Sequence, residues 1–172
     1  RHLWLIDNTG QGINAGGDAF ADADFTAALV KMGKYAVDPA QVVAVCDAST
    51  YLNGFLTLTN VVTVDKFGPS AVVLTGQLAA YRGVPIIVSA SSPLTEADGK
   101  VSTTAGNNTL GQVTLFNRMG WYAGFRRDLM IETDRDIQKR MYIMVTSMRQ
   151  AVAAFGTRST AKHTAGIRNI LV

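Results

Sequence analysis

Tyr81-Arg82-Gly83-Val84-Pro85-Ile86-Ile87-Val88-Ser89 separates two parts of the chain that differ in pattern. A short uncharged apolar run bounded by Gly83 and Ser89 predicts a strand buried on both faces. Pro85 has no N–H to donate, which places it near the start or the edge of that strand. Before this stretch, helical and strand patterns alternate. After it, the sequence turns to extended patterns with far more Arg.

Working back towards the N-terminus, residues 71–75 predict a strand, and residues 76–81 turn back towards Val84. Residues 42–46, Val-Val-Ala-Val-Cys, predict a second buried strand, followed by the N-cap candidates Asp47, Ser49 and Thr50 and a helix carrying Tyr51, Leu52, Phe55 and Leu56. Residues 61–64 fit a strand or irregular structure, and Phe67-Gly68-Pro69 fits a turn. Asp18, Asp22 and Asp24 gather ahead of an Ala/Leu-rich segment, as suits a helix N-terminus. Phe25, Leu29 and Met32 then repeat at helical spacing before Gly33. Leu3 to Ile6 reads as a short strand before a glycine-rich loop at residues 10–17. These elements make an α/β core with a small sheet flanked by helices.

Working forward, residues 91–111 are rich in Ser, Thr, Gly and Asn and predict an exposed loop. Strand character resumes at Val113-Thr114-Leu115-Phe116 and continues through residues 121–125 and 129–132. Residues 137–155 have the propensity for one helix; the apolar run 141–145 within them is read as strand. No internal repeat or low-complexity segment is visible.

The 172 residues are 48% hydrophobic and mean hydropathy is +0.15, enough for one compact domain or a domain with an appended extension. Apolar runs fall short of the ~18 residues a membrane span needs, and no signal peptide opens the sequence. A beginning at Arg1 suggests a processed product or a fragment. Cys46 is the sole cysteine, so no internal disulfide and no cysteine metal cluster is expected. Charge is uneven: residues 1–117 carry 6 basic and 9 acidic groups, and residues 118–172 carry 10 basic and 4 acidic. Such a basic segment suits an acidic partner surface or nucleic acid, and equally a set of solvated strand faces.

Several motifs imitate chemistry. Gly10-Gln11-Gly12-Ile13-Asn14-Ala15-Gly16-Gly17 lies between a strand and a helix, as in a dinucleotide fold. Asp18, Asp22 and Asp24 would repel phosphates there, and Asp47 lies 31 residues beyond Gly16 rather than the usual ~20. A flexible loop is the better reading. Cys46 sits in an apolar strand, where cysteine behaves as a small hydrophobe. His2 and His163 lack metal-ligand spacing, and the polar surroundings of His163 predict exposure. Glu132, Asp134 and Asp136 share one strand face; they read as solvated carboxylates beside Arg127, Arg135 and Lys139, with cation binding as the alternative. Asn107-Asn108-Thr109 matches a glycosylation acceptor but lacks a secretory context. No catalytic, cofactor-binding or metal residues emerge.

Residues 74–89, LTGQLAAYRGVPIIVS, resemble tailed-bacteriophage major capsid proteins of the Hong Kong ninety-seven fold, in which a Gly-x-Pro-hydrophobic-hydrophobic-x-Ser strand runs through the axial domain. The resemblance continues through residues 117–127, NRMGWYAGFRR, and residues 141–155, MYIMVTSMRQAVAAF, which resemble the late peripheral-domain strand. Upstream, FTAALVKMG and VVAVCDASTYLN resemble the family's helix, strand and helix. The implied fold class is α+β: a small mixed sheet flanked by helices, plus long β-strands of a peripheral domain. The implied division is an axial-domain-like α/β region at 1–112, a peripheral-domain-like β extension at 113–155, and a segment at 156–172 returning to the axial domain. The family's N-terminal arm, extended loop and most of its spine helix have no counterpart here, so the chain resembles the C-terminal portion of a subunit.

The resemblance implies a structural protein and not an enzyme, with no cofactor. Such a phage or prophage subunit self-assembles as pentamers and hexamers into an icosahedral shell around DNA. It is assembled in the host bacterial cytoplasm and located in the virion. Further implied partners are non-specifically bound packaged DNA and portal, scaffold or decoration proteins; no membrane is implied. The expected inter-subunit contacts are Arg126, Arg127, Arg135, Lys139, Arg140, Arg158, Lys162, Asn107 and Asn108. An encapsulin-type nanocompartment shell, which shares the fold, is the alternative. A small dinucleotide-binding α/β enzyme using residues 10–17 is more distant.

Overall fold

The computed structural model describes residues 10–62, 68–70, 76–155 and 162–172. The expected strands at Leu3 to Ile6 and at 71–75 lie outside these residues, as do Phe67 and Arg158.

Two sheets are present among the described residues. The larger has six strands: β1 (Gly12–Asn14), β2 (Val42–Cys46), β3 (Ala80–Tyr81), β4 (Val84–Val88), β5 (Leu110–Asn117) and β8 (Thr164–Leu171). They lie in the order β1-β8-β5-β2-β4-β3. β1 runs parallel to β8 and β2 parallel to β4, while β5 is antiparallel to both of its neighbours, β8 and β2. The second sheet is the pair β6 (Trp121–Asp136) and β7 (Met141–Ala154).

Helix α1 (Asp22–Met32) begins where the acidic residues predict, with Asp22 and Asp24 in its first turn and Gly33 at its C-cap at φ 55°. Phe25, Ala28 and Met32 form its buried face. α2 (Ala48–Asn53) is capped by Asp47, whose carboxylate accepts from the Ser49 and Thr50 N–H groups. α2 is short, so Phe55 enters the core from a 3-10 turn and Leu52 stays exposed. Thr59–Val62 is a third helix, α3, where a strand or irregular structure was expected.

The core lies between the helices and one face of the sheet. Phe25 stands edge-on to Phe55 and Tyr81, with ring centroids 6.0 and 5.2 Å apart. These rings join Val42, Ala44, Cys46, Val113, Leu115, Ile167 and Ile170 from the sheet. Val113 to Phe116, expected as the start of the β extension, therefore belong to β5 in the main sheet, paired with β2 and β8.

β4 departs from the expected strand buried on both faces. It is a strand, but only Val84 is fully buried, and Ile87 and Val88 are about half exposed. β3 is two residues long and its pairing stops at Ala80 with Pro85, so among the described residues the far half of β4 has no strand neighbour on that side. Pro85 precedes Ile86, the first residue of the parallel ladder to β2, so its missing N–H removes no ladder bond. Arg82 and Gly83 close the β3–β4 hairpin at φ 51° and 79°, the two-residue turn that requires positive φ at both positions.

The glycine loop is also corrected. Residues 12–14 are an edge strand on β8, and Lys31 Nζ donates to the Gly10 and Gly12 carbonyls at 2.9 and 2.6 Å. A fastened strand whose carbonyls receive a lysine is not a phosphate cradle.

Candidate functional site

The site is the β6–β7 ribbon and the joint that carries it. At the end of β5, the Asn117 side chain accepts from the Met119 N–H at 2.9 Å and donates to the Tyr35 carbonyl at 2.6 Å. This fixes the turn Arg118–Gly120 and aims the chain into β6. At the other side of the joint, Phe155 N–H donates to the Gly120 carbonyl at 2.8 Å.

His163 holds both sides together. Expected to be exposed, it is buried to 3%. Its ring is edge-on to Trp121 and Tyr35, with centroids 5.5 and 6.1 Å away. Nε2 lies 3.1 Å from the Phe155 carbonyl and Nδ1 lies 3.0 Å from Thr164 Oγ1. A carbonyl only accepts, so Nε2 carries the proton. Local polarity suggested solvent because the aromatic residues that enclose His163 come from positions 35 and 121, far away in sequence.

Beyond the joint, β6 and β7 run 16 and 14 residues, and a strand of β6's length extends about 50 Å. The register from Met130 with Ser147 to Asp136 with Met141 is regular. Two irregularities, between Phe125 and Arg127 and between Arg127 and Met130, each place the extra residue on β6. Nearly every side chain is exposed on both faces, including Tyr122, Phe125, Leu129, Tyr142, Met144 and Val152. The helical alternative for residues 137–155 is therefore replaced by a turn and β7.

The predicted contact residues do not form one cluster. Arg126, Arg127, Arg135, Lys139 and Arg140 all lie on the ribbon or its tip and are exposed. Arg135 stands over the Tyr142 ring at 5.8 Å. Lys162, also exposed, just precedes β8. Asn107 and Asn108 sit before the opposite end of β5, about 24 Å from the joint along an eight-residue strand. Asn107 is exposed, whereas Asn108 is turned inward, accepting from the Ser102 N–H at 2.7 Å and donating to the Ser102 carbonyl at 3.1 Å. The loop around them is pinned: Thr95 and Leu110 exchange backbone bonds at 2.9 and 3.0 Å, and Arg168 donates to the Ala97 carbonyl.

No grouping of three metal-ligating side chains exists among the described residues; Glu132, Asp134 and Asp136 lie on the exposed ribbon instead. A cavity of about 290 Å³ between the sheet and residues 89–101 is lined by Val45, Ser89, Thr95, Gln112, Thr114 and Phe116 among others, with no titratable side chain. Burial, and then the neighbouring Asp47 charge, push the Cys46 thiol up to about 12. What the arrangement offers is surface.

Comparison with solved structures bears on that surface. A chain from the capsid of Cyanophage P-SCSP1u superposes with a TM-score of 0.65 at 17% identity, covering 96% of this chain and 59% of that one. A chain of the bacteriophage PhiM1 mature capsid gives 0.64 at 14% identity, covering 91% and 51%. The fold is the Hong Kong ninety-seven-type capsid fold. A chain of Mycobacterium phage Che8 shares it, with a TM-score of 0.63 at 15% identity, covering 96% of this chain and 54% of that one. The chain thus spans between 51% and 59% of the length of these capsid-fold chains. No family model and no curated protein matches the sequence.

Proposed function

We propose that the chain is a structural subunit of a phage capsid, a major capsid protein that self-assembles into a closed shell around DNA. One observation carries the reading: within a capsid fold, the β6–β7 ribbon exposes large apolar side chains on both faces. A two-stranded hairpin is marginal in water and needs a further strand or a helix to be stable, and contiguous apolar surface of this extent marks an interaction site. Shells are built from repeated copies of one chain, in which heterologous contacts close into pentamers and hexamers.

In this reading the six-stranded sheet and its helices form the axial domain, and the ribbon belongs to the peripheral domain. The pinned loop at residues 91–111 reaches the capsomer axis. Arg126, Arg127, Arg135, Lys139 and Arg140 meet acidic surface on a neighbour, with contact to packaged DNA secondary because these cations alternate with carboxylates. The role is structural and the location is the virion. Negative-stain microscopy of the gene product that carries this sequence tests it. Closed shells containing nucleic acid are the expected result. A monomer that binds a dinucleotide, or shells filled with protein cargo, overturns it.

A further inference from the structure

We infer that His163 is a positioning residue: it sets the direction in which the β6–β7 ribbon leaves the main sheet, and through that direction the curvature at which subunit contacts close. Resting on the capsid reading above, this assigns the geometry of closure to one side chain.

The ribbon is a lever on a small base. A strand as long as β6 spans about 50 Å, so a tilt of about 10° at the base carries the tip about 9 Å. That is more than the reach of a hydrogen bond or an apolar contact. A heterologous contact closes into a ring only at the right rotation and otherwise runs on as an open filament. The angle at the base therefore decides whether the contacts of many copies close, and at what size.

The chain crosses between sheet and ribbon twice, outward through Arg118–Gly120 and back between Phe155 and His163. On the sheet side, Asn117 N–H ties the crossings by donating to the His163 carbonyl at 2.8 Å. On the ribbon side, the Phe155 N–H bond to the Gly120 carbonyl does the same. The His163 side chain spans from one tie to the other. In the neutral ring Nε2 donates to the Phe155 carbonyl, and Nδ1 accepts from the hydroxyl of Thr164, the first residue of β8. The imidazole is thus held by the ribbon at one end and by the main sheet at the other.

Packing removes the remaining play. Tyr35 and Trp121 stand edge-on to the ring, and Gly120 leaves no room for a Cβ beside it. Tyr35 is itself fixed, because its carbonyl accepts from Asn117 Nδ2 at 2.6 Å. Groups packed this closely take discrete arrangements rather than a continuous range.

Two near-isosteric variants of the intact gene product isolate the bond. His163→Gln and His163→Met both lose the ring, but only the glutamine amide donates to the Phe155 carbonyl while accepting from Thr164. Spin labels at Val30→Cys on α1 and Gln138→Cys at the ribbon tip, both exposed, report the direction in dissociated subunits; Cys46 is buried and stays unlabelled. The expected result is one narrow label-to-label distance with His163 and with Gln, and a distribution at least twofold broader with Met. In electron micrographs the Gln variant keeps the wild-type shell diameter, and the fraction of Met particles that keep it falls at least tenfold. Hydrogen exchange in β2 and β5 stays unchanged in both. A Met variant with the wild-type distance and wild-type shells shows that the rest of the subunit fixes the ribbon; it overturns the proposal and leaves the capsid reading standing. Equal disturbance in both variants, or lost protection in β2 and β5, shows a merely structural side chain and also overturns it. If the wild type forms no particles, the capsid reading falls and the curvature claim with it.

Discussion

Gly120 and His163 meet with no space for a side chain between them: a Cβ at position 120 would stand 2.6 Å from both Cβ and Cγ of His163. The contact joins the last residue of the turn before β6 to the residue just before β8. Gly120→Ala must displace the imidazole, and with it the bond to the Phe155 carbonyl. Overpacking of this kind costs about 1–3 kcal/mol. Chemical denaturation should show that loss, and combining Gly120→Ala with His163→Gly should cost less than the sum of the two, because the glycine removes both atoms that the new methyl meets. Additive losses would show that the two residues are independent.

Asp22 and Arg82 form the clearest ion pair of the body, with Arg82 Nε and NH2 donating to the two carboxylate oxygens at 2.8 and 2.6 Å. The Arg82 hydrogen bonds lead in holding the Asp22 carboxyl below its ordinary value of 3.8, against a partial opposing effect of burial. A carboxylate with a depressed folded pKa stabilises fully above its unfolded value, and that stability is lost as pH falls through the folded one. Both groups are partly exposed, so Arg82→Ala should cost at most about 1 kcal/mol at neutral pH. The difference from wild type should shrink as the solution is acidified below about pH 4. A difference that persists unchanged at pH 2 contradicts the pair's contribution.

How much of this was legible in the sequence follows from the range of the forces involved. α1, β2 and the Asp47 cap are set by local signals: acids at a helix start, a β-branched run, a capping carboxylate; the turn expected at residues 76–81 falls instead at Arg82 and Gly83, because Ala80 and Tyr81 pair with β4. The order of the later strands came with the family resemblance, and the capsid fold agrees with it. What was not legible depends on residues distant in sequence. Among the described residues, the half-exposed end of β4 follows from the brevity of β3. The burial of His163 needs Tyr35 and Trp121. The glycine loop becomes a strand because β8, more than 150 positions later, supplies its partner. Seven of the nine expected contact residues are charged, and the apolar exposure of the ribbon has no local signal that sets it apart from a buried strand.

Cys46 is fully buried, and its thiol is pushed up from 9.0 to about 12 by desolvation, with the Asp47 charge adding to it. A thiol reagent at pH 8 should leave the native protein unmodified and label it stoichiometrically once unfolded. Since the unfolded thiol ionises first, stability should fall as pH rises through the interval between those two values. Rapid labelling of native protein contradicts the burial.

Asp47 caps α2 and accepts the hydroxyl proton of Thr50, which is itself fully buried. Asp47→Ala should cost about 2 kcal/mol, from the lost cap and the stranded hydroxyl. Asp47→Asn keeps an accepting oxygen and should retain most of that stability. Thermal or urea unfolding measures both, and equal losses for the two variants contradict the capping role.

The central claim is that this fold exists to be repeated. Electron microscopy of the gene product carrying the sequence, purified after expression alone and with its neighbouring genes, tests it most directly. The account predicts closed shells of icosahedral symmetry in which residues 121–154 lie at contacts between subunits. A protein that stays monomeric at high concentration, with that ribbon exposed to solvent, contradicts it.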